Sequence, residues 1–160
     1  MTRDPARELL RHTIATVAYR GAKATRGAPA DFADFRAAAD VRTPLQIVAH
    51  MADLYDWALS LVKGKWDYNQ STPQNWEREL ERFHAALSAF DDYLASDAPL
   101  GHSIEKLFQG PVADSLTHVG QIAILRRLAD APIRGESYTR SDIVAGRVGQ
   151  KQTPSEFEFD

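Results

Sequence analysis

Cysteine is absent from this 160-residue sequence, which excludes disulfide bonds, thiolate metal ligands and a cysteine nucleophile. Any ligating or catalytic group must come from other side chains. No apolar stretch approaches the roughly 18 residues that a membrane-spanning helix needs. The opening residues, Met-Thr-Arg-Asp-Pro-Ala-Arg-Glu, hold no apolar segment of the kind a secretory leader requires. The expectation is therefore a cytoplasmic protein with no membrane partner. A basic excess is also missing, since 19 Lys and Arg stand against 22 Asp and Glu, and nothing in the overall charge favours a phosphate backbone. Nucleic acid is not an expected partner. Nor is there a glycine-rich phosphate loop, a nucleophile elbow, a dinucleotide fingerprint, an HExxH motif or an internal repeat, so several enzyme classes lose their support in the sequence.

What is present is an ordinary supply of apolar residues, 44% of the chain, arranged with helical rather than strand periodicity. A chain of this length forms one hydrophobic core more readily than two. Asp4-Pro5 reads as the start of a first helix, with Leu9, Leu10, Ile14, Val17 and Ala18 on one of its faces. Residues 26–42 read as a long connection with one helical turn around Phe32 to Ala38. Thr43-Pro44-Leu45-Gln46 forms a capping box that opens a second helix running to about Lys63. Thr72-Pro73 repeats the start signal for a third, whose seam Trp76, Leu80, Phe83, Leu87, Phe90 and Leu94 alternates steps of four and three. Residues 103–108 read as a short helical piece, and Gly110-Pro111 as the opening of a fourth long helix that ends before Pro132. That last helix carries apolar residues on nearly every side and is expected to be the most buried. The predicted architecture is all-α, a four-helix bundle over residues 1–132. An irregular arm, 133–160, packs on the same domain or on a partner subunit.

Two histidines stand out by position. His50 and His118 each lie about two turns into a strongly apolar helix, where bundle interiors hold metals. Asp114 is four residues before His118 and shares its face, with Gln121 and Leu125 continuing the strip. A carboxylate in such a helix is stabilised either by a cation or by solvent and the helix dipole in the first turn. Two imidazoles and one carboxylate with open positions suit Zn, Ni, Mn or Fe(II). Gln121 is placed to orient a ligand. His84 is expected to border the core, His12 to be exposed and His102 to lie in a loop, with Glu105 near it. Trp57, Trp66 and Trp76 read as packing or interface residues, and Arg126 and Arg127 as the end of a helix complementing its dipole, with binding of an anionic substrate as the less common alternative.

The runs Arg42-Thr43-Pro44-Leu45-Gln46-Ile47-Val48-Ala49-His50-Met51-Ala52-Asp53 and Asp114-Ser115-Leu116-Thr117-His118-Val119-Gly120-Gln121-Ile122-Ala123-Ile124-Leu125-Arg126-Arg127 resemble the DinB-like superfamily of four-helix metalloproteins. The resemblance implies an up-down-down-up bundle, commonly a homodimer, that binds a divalent ion, Zn or Ni foremost with Fe or Mn as further choices. His50 matches the family's helix-2 histidine. His118 matches the second of two histidines in the last helix, and Asp114 stands where the first would be. Either the carboxylate replaces an imidazole or the triad is broken. Relatives include S-transferases and isomerases that use low-molecular-weight thiols. Two functions are compatible with the resemblance: a metal-dependent transferase or hydrolase acting on a small molecule, or a non-catalytic dimeric bundle that binds a small molecule or protein partner. The up-down-down-up order conflicts with a link of about eight residues between the second and third helices, which favours antiparallel neighbours.

Overall fold

The computed structural model describes residues 4–159. The first helix, α1 (Pro5–Thr25), begins where Asp4 accepts a hydrogen bond from the Ala6 amide at 3.0 Å. A short 3₁₀ turn at Phe32–Asp34 comes next, in the 26–42 connection, where one helical turn is expected. The second helix, α2 (Pro44–Val62), opens on the capping box: Thr43 accepts from the Gln46 amide, and Gln46 in return accepts from the Thr43 amide at 2.9 Å.

The third helix, α3, spans Trp76–Ala95 and starts later than Thr72-Pro73 indicates. Asn75, not Thr72, is the cap, accepting from the Arg78 amide at 3.0 Å. A Thr-Pro pair is compatible with a helix start but does not compel one. Here the Ser71 amide is held by Asp53 and the Gln74 amide by Glu79, which keeps this stretch extended. Next comes α4 (Ile104–Leu107), capped by Ser103. Gly110-Pro111 does not open a new helix as the sequence indicates. It lies inside a π-helical stretch, Phe108–Val112, that joins α4 to α5 (Ala113–Leu128). Gly110 leaves helical geometry there (φ −85, ψ −106), relieving the clash that Pro imposes on the residue before it. The chain therefore has four principal helices, the last a composite with a kink.

Contacts at the helix ends fix the direction of each one. The α1 start meets the α3 end, where Arg7 donates to the Ala98 carbonyl at 2.6 Å and Arg11 pairs with Asp91 at 3.0 Å. The α2 end lies there too, since the Gly101 amide donates to the Val62 carbonyl at 2.8 Å. At the opposite end, Arg126 of α5 donates to the Ala24, Arg26 and Gly27 carbonyls around the α1 terminus, and Phe32 stacks edge-on against Trp76 at the α3 start. So α1 and α5 run one way, and α2 and α3 the other. This is the up-down-down-up order. The conflict over loop length dissolves because residues 63–75 all lie outside helices and return along the bundle.

The core gathers Ile14, Val17, Tyr55, Phe83, Leu87, Phe90 and Ile122 among the four helices. The last helix is not the most buried. Ile124 and Leu128 of α5 are exposed, whereas α1 and α2 each bury a larger share of their residues. Its apolar residues encircle the helix, but α1 and α2 cover only one side of it. Arg126, expected to complement a helix end, is buried and turned across to the carbonyls at the end of α1.

The arm beyond residue 132 folds back on α1. A two-residue antiparallel pairing joins β1 (Gly135–Glu136) to β2 (Glu158–Phe159). Lys23 of α1 lies 2.7 Å from both Glu136 and Glu158, and Tyr19 donates to Glu136. His84 of α3, which borders the core as expected, donates through Nδ1 to the Val148 carbonyl at 3.0 Å. No helix among the described residues is long and apolar enough to cross a membrane.

Two measurements test this packing. A Cβ placed on Gly101 would lie 2.1 Å from the Gly64 nitrogen, so Gly101→Ala must push the α2 terminus away from the turn behind it. Urea unfolding should show a loss of about 1–3 kcal/mol. Burial alone raises the pKa of Glu136, but hydrogen bonds from Lys23, Tyr19, Ser141 and Ser155 outweigh it and hold the carboxyl at about 2. Because the folded value lies below the unfolded one, this stabilisation is complete above about pH 4.5 and is lost as pH falls towards 2. Wild type should lose on the order of 3 kcal/mol more than Glu136→Gln across that window, measured by urea melts at stepped pH.

Candidate metal centre

His50 projects from the second turn of α2, and Asp114 and His118 from successive turns of α5, the helix packed beside it. The three side chains predicted to share a site do come together. His50 Nε2 lies 3.6 Å from one carboxylate oxygen of Asp114, and His118 Nε2 lies 3.4 Å from the other. The two imidazoles meet edge to face with ring centroids 4.8 Å apart. One donor atom from each residue falls within 4.8 Å of the others, and no other group of three such side chains does so among the described residues.

Burial is graded across the cluster. The side chains of His118, His50 and Asp114 are 9%, 18% and 47% exposed, so the imidazoles are sunk between helices while the carboxylate faces outward. This answers the two readings of Asp114 in part. It is half solvated, yet it does not sit at a free helix end, because α5 continues from the π-helical stretch ahead of it. The kink at Gly110-Pro111 lies just one turn before Asp114.

Each imidazole has a partner on its far nitrogen. Gln121, one turn after His118, brings its carbonyl Oε1 to 2.8 Å from His118 Nδ1. Since that oxygen only accepts, Nδ1 carries the proton and Nε2 of a neutral ring presents a lone pair to Asp114. A lone pair facing a carboxylate oxygen at 3.4 Å is repulsive unless a cation, either a metal ion or a proton, lies between them. The spacing favours the larger cation. Each Nε2 faces a different oxygen of Asp114 at more than an ordinary hydrogen-bond length, near the about 3.3–3.6 Å between neighbouring ligands of a tetrahedral ion, and all three donors lie within 4.8 Å of one another. The donor set therefore fits a divalent ion.

The second far-side partner was not indicated by the sequence. Tyr68, on the 63–75 return segment, places its hydroxyl 3.3 Å from His50 Nδ1 and its ring edge-on to Trp57. Its only sequence signal is to be one of two aromatic residues, with Trp66, in an otherwise polar stretch. Arg42 was also missed. It lies just before the α2 cap and lines, with His50, a cleft of about 140 Å³, and with His118 and Gln121 a second of about 380 Å³. Thr117 and Asp114, with Trp57 and Gly110, line a third cleft of about 420 Å³ on the other side of the carboxylate.

Comparison of the chain with family models, with curated proteins and with solved structures finds no match. The centre is therefore read from its residues alone. It is a His-His-Asp cluster able to coordinate a divalent ion within an all-α bundle. His102 and Glu105 take no part: His102 stacks on Trp66, and Glu105 lines a separate apolar groove with Leu9 and Phe108. Trp76 and Trp57 pack against the core, Trp76 on Phe32, whereas Trp66, which meets Trp57 edge to face, is largely exposed.

Burial foremost, then the proximity of His118 and Arg42, push the His50 imidazole below its ordinary pKa, against a weaker opposing pull from Asp114. His50 is thus held neutral, the form that ligates. In metal-free protein an NMR titration should find its midpoint below 6.5. Arg42→Ala should move that midpoint up and Asp114→Asn should move it down.

Proposed function

We propose that this chain is a DinB-like metal-dependent enzyme that binds one divalent ion through His50, Asp114 and His118 and acts on a small molecule, as a thiol-dependent S-transferase or a hydrolase. The observation that carries the reading is the inward-facing lone pair of His118, set against a carboxylate oxygen at the separation expected of two ligands on one ion. Zn or Ni is the leading choice, because imidazole ligands suit both, with Fe and Mn next.

The chain's residues divide the work. His50 and His118 provide neutral nitrogen donors. Gln121 and Tyr68 fix the two rings from behind and set which nitrogen faces the centre, as partners beyond the ligands commonly do. Asp114 supplies one negative charge, and its outward exposure leaves the centre open to small molecules. A divalent ion held there supplies Lewis acidity, which lowers the pKa of a coordinated water or thiol. A homodimer and a low-molecular-weight thiol as co-substrate belong to the same proposal.

The test is elemental analysis of protein purified without a histidine tag and then exposed to Zn or Ni. About one ion per chain is expected, with a metal-dependent rise in melting temperature. His50→Ala and His118→Ala should abolish both effects. Gln121→Leu, which removes only the partner of His118, should weaken metal affinity about 10- to 100-fold while leaving the metal-free fold intact. A melting temperature indifferent to metal in wild type would favour the non-catalytic bundle instead. That second reading has one observation of its own: half of the Asp114 side chain is exposed, so solvent alone is able to satisfy it.

A further inference from the structure

We infer that Arg42 is the docking point for a carboxylate group of the substrate, so that a small organic acid bridges the guanidinium of Arg42 and the His50, Asp114, His118 centre. The inference rests on the metal-binding reading and adds the substrate class to it.

Three observations support it. First, Arg42 borders the clefts on both sides of the imidazoles, the smaller shared with His50 and the larger with His118 and Gln121, so one side chain commands both approaches from that face. Second, no carboxylate among the described residues pairs with it. Asp53, which also lines the smaller cleft, has its two oxygens engaged by Arg82 at 2.8 Å and by the Ser71 amide at 3.0 Å. Asp40 lines the larger cleft, is exposed and makes no ion pair with Arg42. Arg82 and Arg147 are committed, the one to Asp53, Asp56 and Glu79 and the other to Asp142. The exposed Arg26 and Arg127 also lack an acidic partner among the described residues, and what sets Arg42 apart from them is its place at the mouths of the clefts that hold His50 and His118. Third, the smaller cleft offers amide and hydroxyl groups beside the guanidinium, from Gln46, Gln70 and Ser71, and little else that is charged.

Charge and shape select the ligand class. A divalent ion with two neutral imidazoles and one carboxylate leaves a net charge of about +1, and Arg42 adds another at the same mouth. A planar guanidinium matches a carboxylate through two parallel hydrogen bonds. A phosphate dianion is ordinarily held by several cations or a run of backbone amides, and here one arginine stands alone. The ligand so described carries a carboxylate at one end and a metal-seeking donor a few atoms away.

Cobalt(II) provides the probe, because its visible absorption reports a change of ligand without any turnover. Co²⁺-loaded wild type is titrated with glutarate and succinate, and with valerate and butyrate, which match them in length but lack the second carboxylate. At least one diacid should bind tenfold or more tightly than its monoacid. Arg42→Ala should reduce that ratio to about one without altering Co²⁺ affinity, and Arg42→Lys should retain part of it. An unchanged ratio in Arg42→Ala, or no preference in wild type, overturns the inference. So does tighter binding of inorganic phosphate than of either diacid. If Co²⁺ fails to bind at all, the metal reading falls by itself. The carboxylate contact is then read in metal-free protein from the Arg42 side-chain N–H resonance in an NMR titration with glutarate: a saturable shift supports it and the lack of one overturns it.

Discussion

A 19-residue helix such as α2 is about 28 Å long, and a chain leaving its far end must travel back that distance before a second helix is able to lie parallel to it. Residues 63–75 do this, reaching at most roughly 45 Å when extended. The parallel pairing of α2 and α3 thus requires an extended strap along the face of the bundle, and the centre depends on it. The strap carries Tyr68 to the back of His50 and Ser71 to Asp53. Had α2 and α3 been antiparallel, a short turn would have joined them and that face of α2 would have been bare.

Arg82 of α3 holds the strap in place. It donates to the carbonyl of Ala49, the residue before His50, and to the Ser71 hydroxyl, while pairing with Asp53, Asp56 and Glu79. Removing one partner of such a buried pair leaves the other uncompensated, which costs more than a surface ion pair contributes. Burial lowers the pKa of Arg82, and the acids around it more than restore it. A single guanidinium so links α2, α3 and the strap at the level of His50. On the opposite side Tyr55 and Ser115, bonded at 2.7 Å in the core, fix α2 against α5 one turn from the same centre. The two ligand-bearing helices are therefore held on both flanks before any ion is considered.

Much of this was legible in the sequence, and where it failed the reasons are specific. Thr43 and Gln46 announce α2 because both halves of the capping box are local. His50, Asp114 and His118 were identifiable from their depth in apolar helices and the four-residue spacing, since helical periodicity translates directly into a shared face. The start of α3 was misplaced because Thr72-Pro73 is locally as good a signal as Asn75, and the bonds that hold residues 71–74 extended come from α2 and from further along α3. Burial of α5 was overestimated because composition counts apolar residues without counting neighbours. Tyr68 and Arg42 were invisible as site residues, as each lies in a connection whose path is set by tertiary contacts.

The carboxylate at position 114 has a consequence for the kind of ligand the centre would favour. Three neutral imidazoles leave a bound divalent ion its full charge, whereas one carboxylate removes half of it and so weakens the pull on any anionic substrate. A centre of this composition that is to hold an anion needs a cation outside the ligand set, placed close enough to act and not cancelled by a partner. Arg42 meets both conditions: it borders the clefts that contain His50 and His118, and no described carboxylate neutralises it. The same charge also pushes His50 away from protonation. One arginine outside the cluster would then restore the attraction for anions that Asp114 takes away.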